Sequence, residues 1–262
     1  MQANVDQIAD RIYRISTFVP EIGPTGFTFN QFLVDAEEPL LYHTGMRGLF
    51  PIVSEAVSRV LPVESLRWIA FAHVEADECG AMNEFLAAAP NAQIAHGELG
   101  CNLSLNDQAV RPPRPLQDGE VIDLGGAGFT RRVVEVPTPH VPHNWESHVF
   151  FEQETRTLFC GDLLTQLGDG PAVVGDDIIE AAIFAEDVFH QTSLGPLVPA
   201  TLRRLADLNP SRLAIMHGSA YEGDAPAMLR RMAEVFEERY GCKAELPAQP
   251  LPGHSAPVGA QA

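Results

Sequence analysis

The segment His73-Val74-Glu75-Ala76-Asp77-Glu78 places one imidazole and three carboxylates, all common metal ligands, within six residues. It directly follows Leu66–Ala72, an apolar run with the composition of a buried strand. We therefore expect the segment in the loop at the end of that strand, where neighbouring side chains can converge on one point. One nitrogen donor and three oxygen donors favour a hard or borderline metal ion. The segment predicts a metal site at a strand end.

An acidic loop alone is weak evidence, because the chain has 35 acidic and 17 basic residues and a solvent-exposed acidic loop would be ordinary in it. The rest of the chain strengthens the interpretation. Three further ligand-type residues each follow another apolar, strand-like run: His140, Asp162 and His217. Solvent-exposed loops do not explain why four strand ends all carry such residues.

The order of these residues resembles that of the metallo-β-lactamase superfamily. Within it, the chain resembles the di-iron domain of flavodiiron proteins and their stand-alone oxygen-binding relatives. Glu75 is the discriminating residue, because hydrolases of the superfamily usually carry a second histidine there, in His-x-His-x-Asp-His. Flanking segments are similar to the same branch: Phe29–Asp35, Ala89–Ile94, His140-Val141-Pro142 and Met216-His217-Gly218. The resemblance covers most of residues 8 to 240 and implies an αββα sandwich, two packed mixed sheets with outer helices.

The resemblance also implies a ligand set for two metal ions. The first ion is expected at His73, Glu75 and His140, and the second at Asp77, His217 and position 78. Asp162 is expected to bridge them, as in two-metal sites whose ions lie about 3.5–4 Å apart. The implied cofactor is two iron ions, with zinc or manganese as alternatives; carboxylate donors suit iron or manganese better than zinc. Two other histidines are candidates for orienting a ligand without binding a metal: His143 and His43.

Position 78 departs from the family motif, which has histidine where this chain has Glu78. If Glu78 binds, four carboxylates balance the charge of two divalent ions and stabilise the oxidised pair. Replacing it with histidine is then expected to raise the reduction potential. The alternative is that Glu78 points away and leaves the second site under-coordinated.

Alternating apolar runs and turn signals predict mixed strands and helices. Strands are predicted at 11–18, 27–35, 39–43, 66–72, 92–96, 120–124, 129–137, 147–153, 157–161 and 212–216. Helices are predicted at 49–60, 80–88, 177–190, 197–208 and 226–240. We expect residues 1–240 to form the di-metal domain and residues 241–262, rich in proline, to form a disordered tail.

Composition sets outer limits on function. The formal charge of −18 argues against nucleic-acid binding, which requires basic patches. No apolar stretch is long enough for a membrane span and no signal peptide is recognisable, so the expected location is the cytoplasm. The four cysteines show no Cys-x-x-Cys spacing and are expected to be reduced.

Three functional hypotheses remain. The first is a non-haem di-iron protein that binds O2 or NO and reduces it with electrons from a separate donor protein. A separate donor is expected because the residues after His217 show no βαβ unit with a phosphate-binding loop, so that we expect no flavin-binding domain in this chain. The second is a zinc-dependent hydrolase of an ester, thioester or lactam, which Glu75 disfavours. The third is an O2 or redox sensor or scaffold. The resemblance implies a homodimer.

Overall fold

Two seven-stranded mixed sheets form the centre of the structure, a computed structural model that describes residues 1–125 and 131–241. In the first sheet the spatial order of the strands follows the chain, with antiparallel pairing from β1 to β4 and parallel pairing from β4 to β7. These strands are β1 Asn4–Ala9, β2 Ile12–Val19, β3 Phe27–Val34, β4 Leu40–Tyr42, β5 Trp68–Ala70, β6 Gln93–Gly97 and β7 Arg114–Leu116.

The second sheet has the order β12-β14-β13-β11-β10-β9-β8. Its strands are β8 Val121–Gly125, β9 Arg131–Pro137, β10 His148–Glu152, β11 Thr157–Phe159, β12 Val173–Val174, β13 Arg212–Ala214 and β14 Ala220–Glu222. The pairs β11–β13 and β12–β14 are parallel and the other neighbours are antiparallel.

Eight helices accompany the two sheets in the described residues. They are α1 Phe50–Ser58, α2 Ala76–Cys79, α3 Met82–Ala88, α4 Glu98–Gly100, α5 Asn106–Gln108, α6 Ile179–Phe189, α7 Leu197–Asp207 and α8 Ala225–Tyr240. A π-helical turn at Cys101–Leu105 joins α4 to α5, and 3-10 turns lie at Arg47–Leu49 and Val63–Ser65. Helix α8 begins at the Asp224 side chain, which accepts a hydrogen bond from the Ala227 amide at 3.0 Å, and ends at Gly241 in the left-handed conformation.

The apolar core has three layers. Between the sheets, aromatic rings from both sides meet: Tyr42 of the first sheet lies 5.6 Å from Phe150 and 5.1 Å from Phe159 of the second, measured between ring centroids. Helices α1 and α3 pack on the outer face of the first sheet, and α6, α7 and α8 on that of the second. In α7 the buried residues recur at helical spacing, as Val198, Leu202 and Leu205 do. This is the predicted αββα sandwich.

The predicted strands and helices are all present, with ends that differ by a few residues. Four strands were not predicted, because they are short or lie at sheet edges: β1, β7, β12 and β14. Residues 129 and 130 of one predicted strand and the expected tail from 242 onward lie outside the described residues. In the described ranges, no helix is both long and apolar enough to cross a membrane.

Candidate metal centre

Three of the predicted ligands stand at equivalent positions, each three residues beyond a buried strand. His73 follows β5, Asp162 follows β11 and His217 follows β13. A fourth residue, His143, lies in the loop between β9 and β10. Because the strands deliver these loops to one end of the sandwich, residues far apart in sequence meet there.

Glycines next to two of these residues allow the sharp turns. Gly161 precedes Asp162 with φ +54°, and a Cβ on it would lie 2.5 Å from the Ala72 Cβ. Gly218 follows His217 with φ +100°, and a Cβ on it would lie 2.6 Å from the Gln166 Cβ. At both positions the left-handed backbone and the close neighbour exclude a larger residue.

One half of the centre, here called the first site, gathers four ligand atoms within 4.8 Å of one another, from His73, Glu75, His143 and Asp162. The Nε2 atom of His73 lies 2.7 Å from Glu75 Oε2 and 2.9 Å from His143 Nε2. Asp162 Oδ2 lies 3.7 Å from the His73 Nε2 and 3.6 Å from the His143 Nε2. His73 is fully buried, whereas the Glu75 side chain is half exposed at the edge of the cluster.

The other half, here called the second site, adjoins the first through Asp162. The Nε2 atom of His217 lies 3.2 Å from Asp162 Oδ1 and 3.3 Å from Asp77 Oδ2. Asp162 thus directs its two carboxylate oxygens to different histidine groups, which is the arrangement expected of a bridging carboxylate.

Backbone carbonyls fix the orientation of two of the rings. The Nδ1 atom of His217 lies 2.9 Å from the Thr28 carbonyl oxygen, and that of His143 lies 2.9 Å from the Gln191 carbonyl oxygen. A carbonyl oxygen can only accept, so each Nδ1 carries a hydrogen and each Nε2 faces the cluster. Histidine ligands of metals are commonly held in this way. The Phe27 ring also stacks on His217, with centroids 4.0 Å apart.

The carboxylates and imidazoles of the cluster strongly shift one another's pKa values. Burial lowers the pKa of His73, but Glu78, Glu75 and Asp162 outweigh it and the pKa is raised to about 10. Burial likewise lowers the pKa of His217, and hydrogen bonds to Asp162 and Asp77 raise it to about 10. Hydrogen bonds from His143 and His73 lower the pKa of Glu75 to about 2. Without metal, these two histidines, His73 and His217, are therefore cationic at neutral pH and hold the carboxylates together.

The structure does not bring His140, the histidine expected at the first site, into the cluster. The His140 side chain is exposed, and its backbone has φ +63°. The hydrogen bonds of His140 are made by its backbone. Its amide donates to the Asn144 carbonyl at 2.7 Å, and its carbonyl accepts from the Ser193 hydroxyl at 2.6 Å. His143, expected only to orient a ligand, takes the position in the cluster.

Glu78 was expected as a possible ligand of the second site, but its carboxylate lies behind His73. One oxygen accepts a hydrogen bond from the His73 amide at 2.7 Å, and the other lies 3.3 Å from His73 Nδ1 and 3.3 Å from His43 Nε2. Among the residues that the structure describes, these two histidines are its ionic partners within 4 Å. His73 and His43 lower the pKa of Glu78 against the effect of burial, which keeps the carboxylate charged.

The cysteines near the centre are buried free thiols. Cys79 follows Glu78, and burial raises its pKa to about 12; burial also raises the pKa of Cys160 beyond its usual range. Protonated, buried thiols are poor nucleophiles and poor ligands. Cys242 lies outside the described residues.

A family model described as ODP family beta lactamase matches residues 27–218, which include all of the cluster. The chain belongs to this ODP family. The family's fold is also seen in the solved structure of rubredoxin oxygen:oxidoreductase from Desulfovibrio gigas, with a TM-score of 0.74 and 19% identity, covering 88% of this chain and 62% of that one. A mutant flavo di-iron protein from Thermotoga maritima is similar at a TM-score of 0.77 and 18% identity, covering 90% of this chain and 62% of that one.

Among curated relatives, the anaerobic nitric oxide reductase flavorubredoxin of Pectobacterium carotovorum is 22% identical over 223 residues, covering 82% of this chain and 43% of the relative. The chain spans from 23% to 51% of the length of the curated relatives that it matches. The comparisons thus show that this chain, a member of the ODP family, has a metallo-β-lactamase-like fold and flavodiiron proteins among its relatives.

Proposed function

We propose that the chain is a non-haem di-iron protein that binds O2 or NO and reduces it with electrons from a separate donor. The observation that carries the proposal is the position of Asp162, whose two oxygens contact different histidine groups. Such a carboxylate is suited to hold two metal ions at the spacing of two-metal sites.

The residues present fit two metal ions of intermediate hardness. His73, Glu75 and His143 would hold the first ion, Asp77 and His217 the second, and Asp162 both. The donors are three imidazole nitrogens and three carboxylates, a set that suits iron. Each imidazole offers Nε2 to the centre, and in two of them a carbonyl holds Nδ1. The three carboxylates leave two divalent ions one unit positive, which favours an added small ligand.

Residues around the ligands position them. Glu78, supported by His43, holds the far side of the His73 ring, and the Thr28 and Gln191 carbonyls hold the other two histidines. The second site has one protein ligand fewer than the first, so it is the place where O2 or NO would bind. Bound iron would supply the open coordination positions and would pass the electrons received from the donor to the bound O2 or NO.

The names of the relatives support the choice of reactants. One is a nitric oxide reductase, one an oxygen oxidoreductase and one a flavo di-iron protein. An electron-donor protein in trans and assembly as a homodimer are further parts of the proposal.

Metal analysis of protein purified from iron-replete cells, without added metal, tests the proposal. Two irons per chain, together with O2 or NO consumption in the presence of a chemical reductant, are expected. Two zincs per chain and cleavage of a generic ester or thioester would contradict the proposal and favour the hydrolase. Two irons without turnover would favour an O2 or redox sensor.

A further inference from the structure

A small cavity lies directly behind Asp162, between the loop after β11 and the helices α6, α7 and α8. Its volume is about 20 Å³, and its walls include Asp162, Leu163, Ala182, Leu202 and Met232. A cavity needs roughly 10–15 Å³ measured in this way to hold one water. There is room for one molecule of about that size.

Four polar side chains of the cavity wall already have hydrogen-bond partners within the protein. The carboxylate of Glu186 accepts from the amide of Thr192 at 3.2 Å and from its hydroxyl at 2.6 Å. The hydroxyl of Thr165 and the side-chain amide of Gln191 both donate to the Asp162 carbonyl oxygen, at 2.8 and 3.1 Å. Apolar side chains supply most of the remaining wall. A bound water needs two to four polar partners, so an apolar molecule suits this wall better.

The cavity touches the parts of the chain that hold the candidate metal centre. Asp162 is the residue shared by both sites. Gln191, through its carbonyl, fixes the ring of His143, and Pro142 precedes that histidine. Leu164, also in the wall, adopts φ +64°, a conformation that a leucine rarely takes. Local strain of this kind is concentrated at functional sites.

We propose that this cavity is a gas-binding site that holds one apolar diatomic molecule, O2 or NO, beside the metal centre. The choice of gas rests on the proposed function. The binding itself depends only on the size and apolar lining of the cavity. A resident gas molecule would raise the local concentration of reactant next to Asp162.

Paramagnetic relaxation by dissolved O2 tests the site in the full chain loaded with zinc, which is diamagnetic and has no redox chemistry. Under O2 pressure, the methyl groups of Leu163, Leu202 and Met232 should relax faster than other buried methyl groups such as those of Leu41. Relaxation of the cavity methyls equal to that of the Leu41 methyls would overturn the proposal. The same relaxation measurement on the metal-free chain tests the gas site without the metal centre. If metal analysis finds no iron in the protein, the proposed function fails, but faster relaxation of the cavity methyl groups would still show the gas site.

Two substitutions in α6 provide a matched pair. Ala182 is buried in the cavity wall, whereas Ala181, its neighbour, is exposed. Ala182→Leu should fill the cavity and abolish the excess relaxation, and Ala181→Leu should leave it unchanged. An equal effect of the two would overturn the proposal. Should Ala182→Leu fail to fold, Val198→Ile, which adds a single methyl group to another wall residue, should reduce the excess; no reduction would overturn the proposal.

Discussion

Two histidines in one loop, three residues apart, allow a decisive comparison. The structure places His143 in the first site, with its Nε2 2.9 Å from that of His73 and 3.2 Å from Glu75 Oε2. His140 is exposed and contributes only backbone hydrogen bonds. We predict that His143→Ala strongly weakens binding of the first metal ion and that His140→Ala does not.

The expected size follows from the role of each side chain. Removing a residue that merely orients a metal ligand costs about 10–100-fold in metal affinity. Removing one of four ligand groups should cost at least the upper end of that range, about 100-fold or roughly 2.7 kcal/mol. His140→Ala removes an exposed side chain, and such changes alter the free energy of unfolding by no more than about 0.5 kcal/mol. We therefore expect its metal affinity to stay close to that of the unchanged chain.

Anaerobic titration of Fe(II) against a coloured chelator measures the affinity of both variants and of the unchanged chain, and thermal unfolding shows that each variant is folded. Wild-type affinity in His143→Ala, or a comparable loss in His140→Ala, would refute the assignment. A loss of affinity in His140→Ala would instead support His140 as the ligand, as the family resemblance implies.

Three further predictions concern neighbouring groups. Glu78→Gln keeps an acceptor for the His73 amide but removes the negative charge behind the His73 ring. The metal affinity of the first site should therefore fall about 10–100-fold while the chain still binds two ions. Loss of the second ion alone, seen by metal titration, would show that Glu78 is a ligand. Asp162→Asn should weaken both ions together, and metal analysis that finds one site intact would rule out the bridging role. Metal binding at pH 7 should release protons, and the affinity for metal should rise toward pH 10. The reason is that His73 and His217 have pKa values of about 10 and bind metal only when neutral. Calorimetry in buffers of different ionisation enthalpy measures the proton release, and finding none would contradict the prediction.

The strand ends that carry the site were predictable because the strands before them are buried on both faces and therefore read as apolar runs. His73, Asp162 and His217 each follow such a run, and the structure places all three in the centre. Unpredicted strands such as β7 and β12 are short, and little apolar sequence marks them.

The side-chain directions within loops were not predictable. His140 and His143 share one loop; His140 has φ +63° and an exposed side chain, whereas the ring of His143 faces the site. Asp77 and Glu78 are adjacent in the single turn of α2, where neighbouring side chains point about 100° apart. Asp77 therefore meets His217 while Glu78 faces His73. Both outcomes depend on local geometry that residue type and spacing do not encode.

The proposed centre requires that Asp162 joins two iron ions, each with its own set of ligands. Anomalous diffraction at the iron edge, from crystals grown with the metal acquired in cells, tests this requirement most directly. We expect two iron peaks flanking the Asp162 carboxylate, one among His73, Glu75 and His143 and the other beside Asp77 and His217. A single peak, or a peak bound by Glu78 or His140, would contradict the proposed centre.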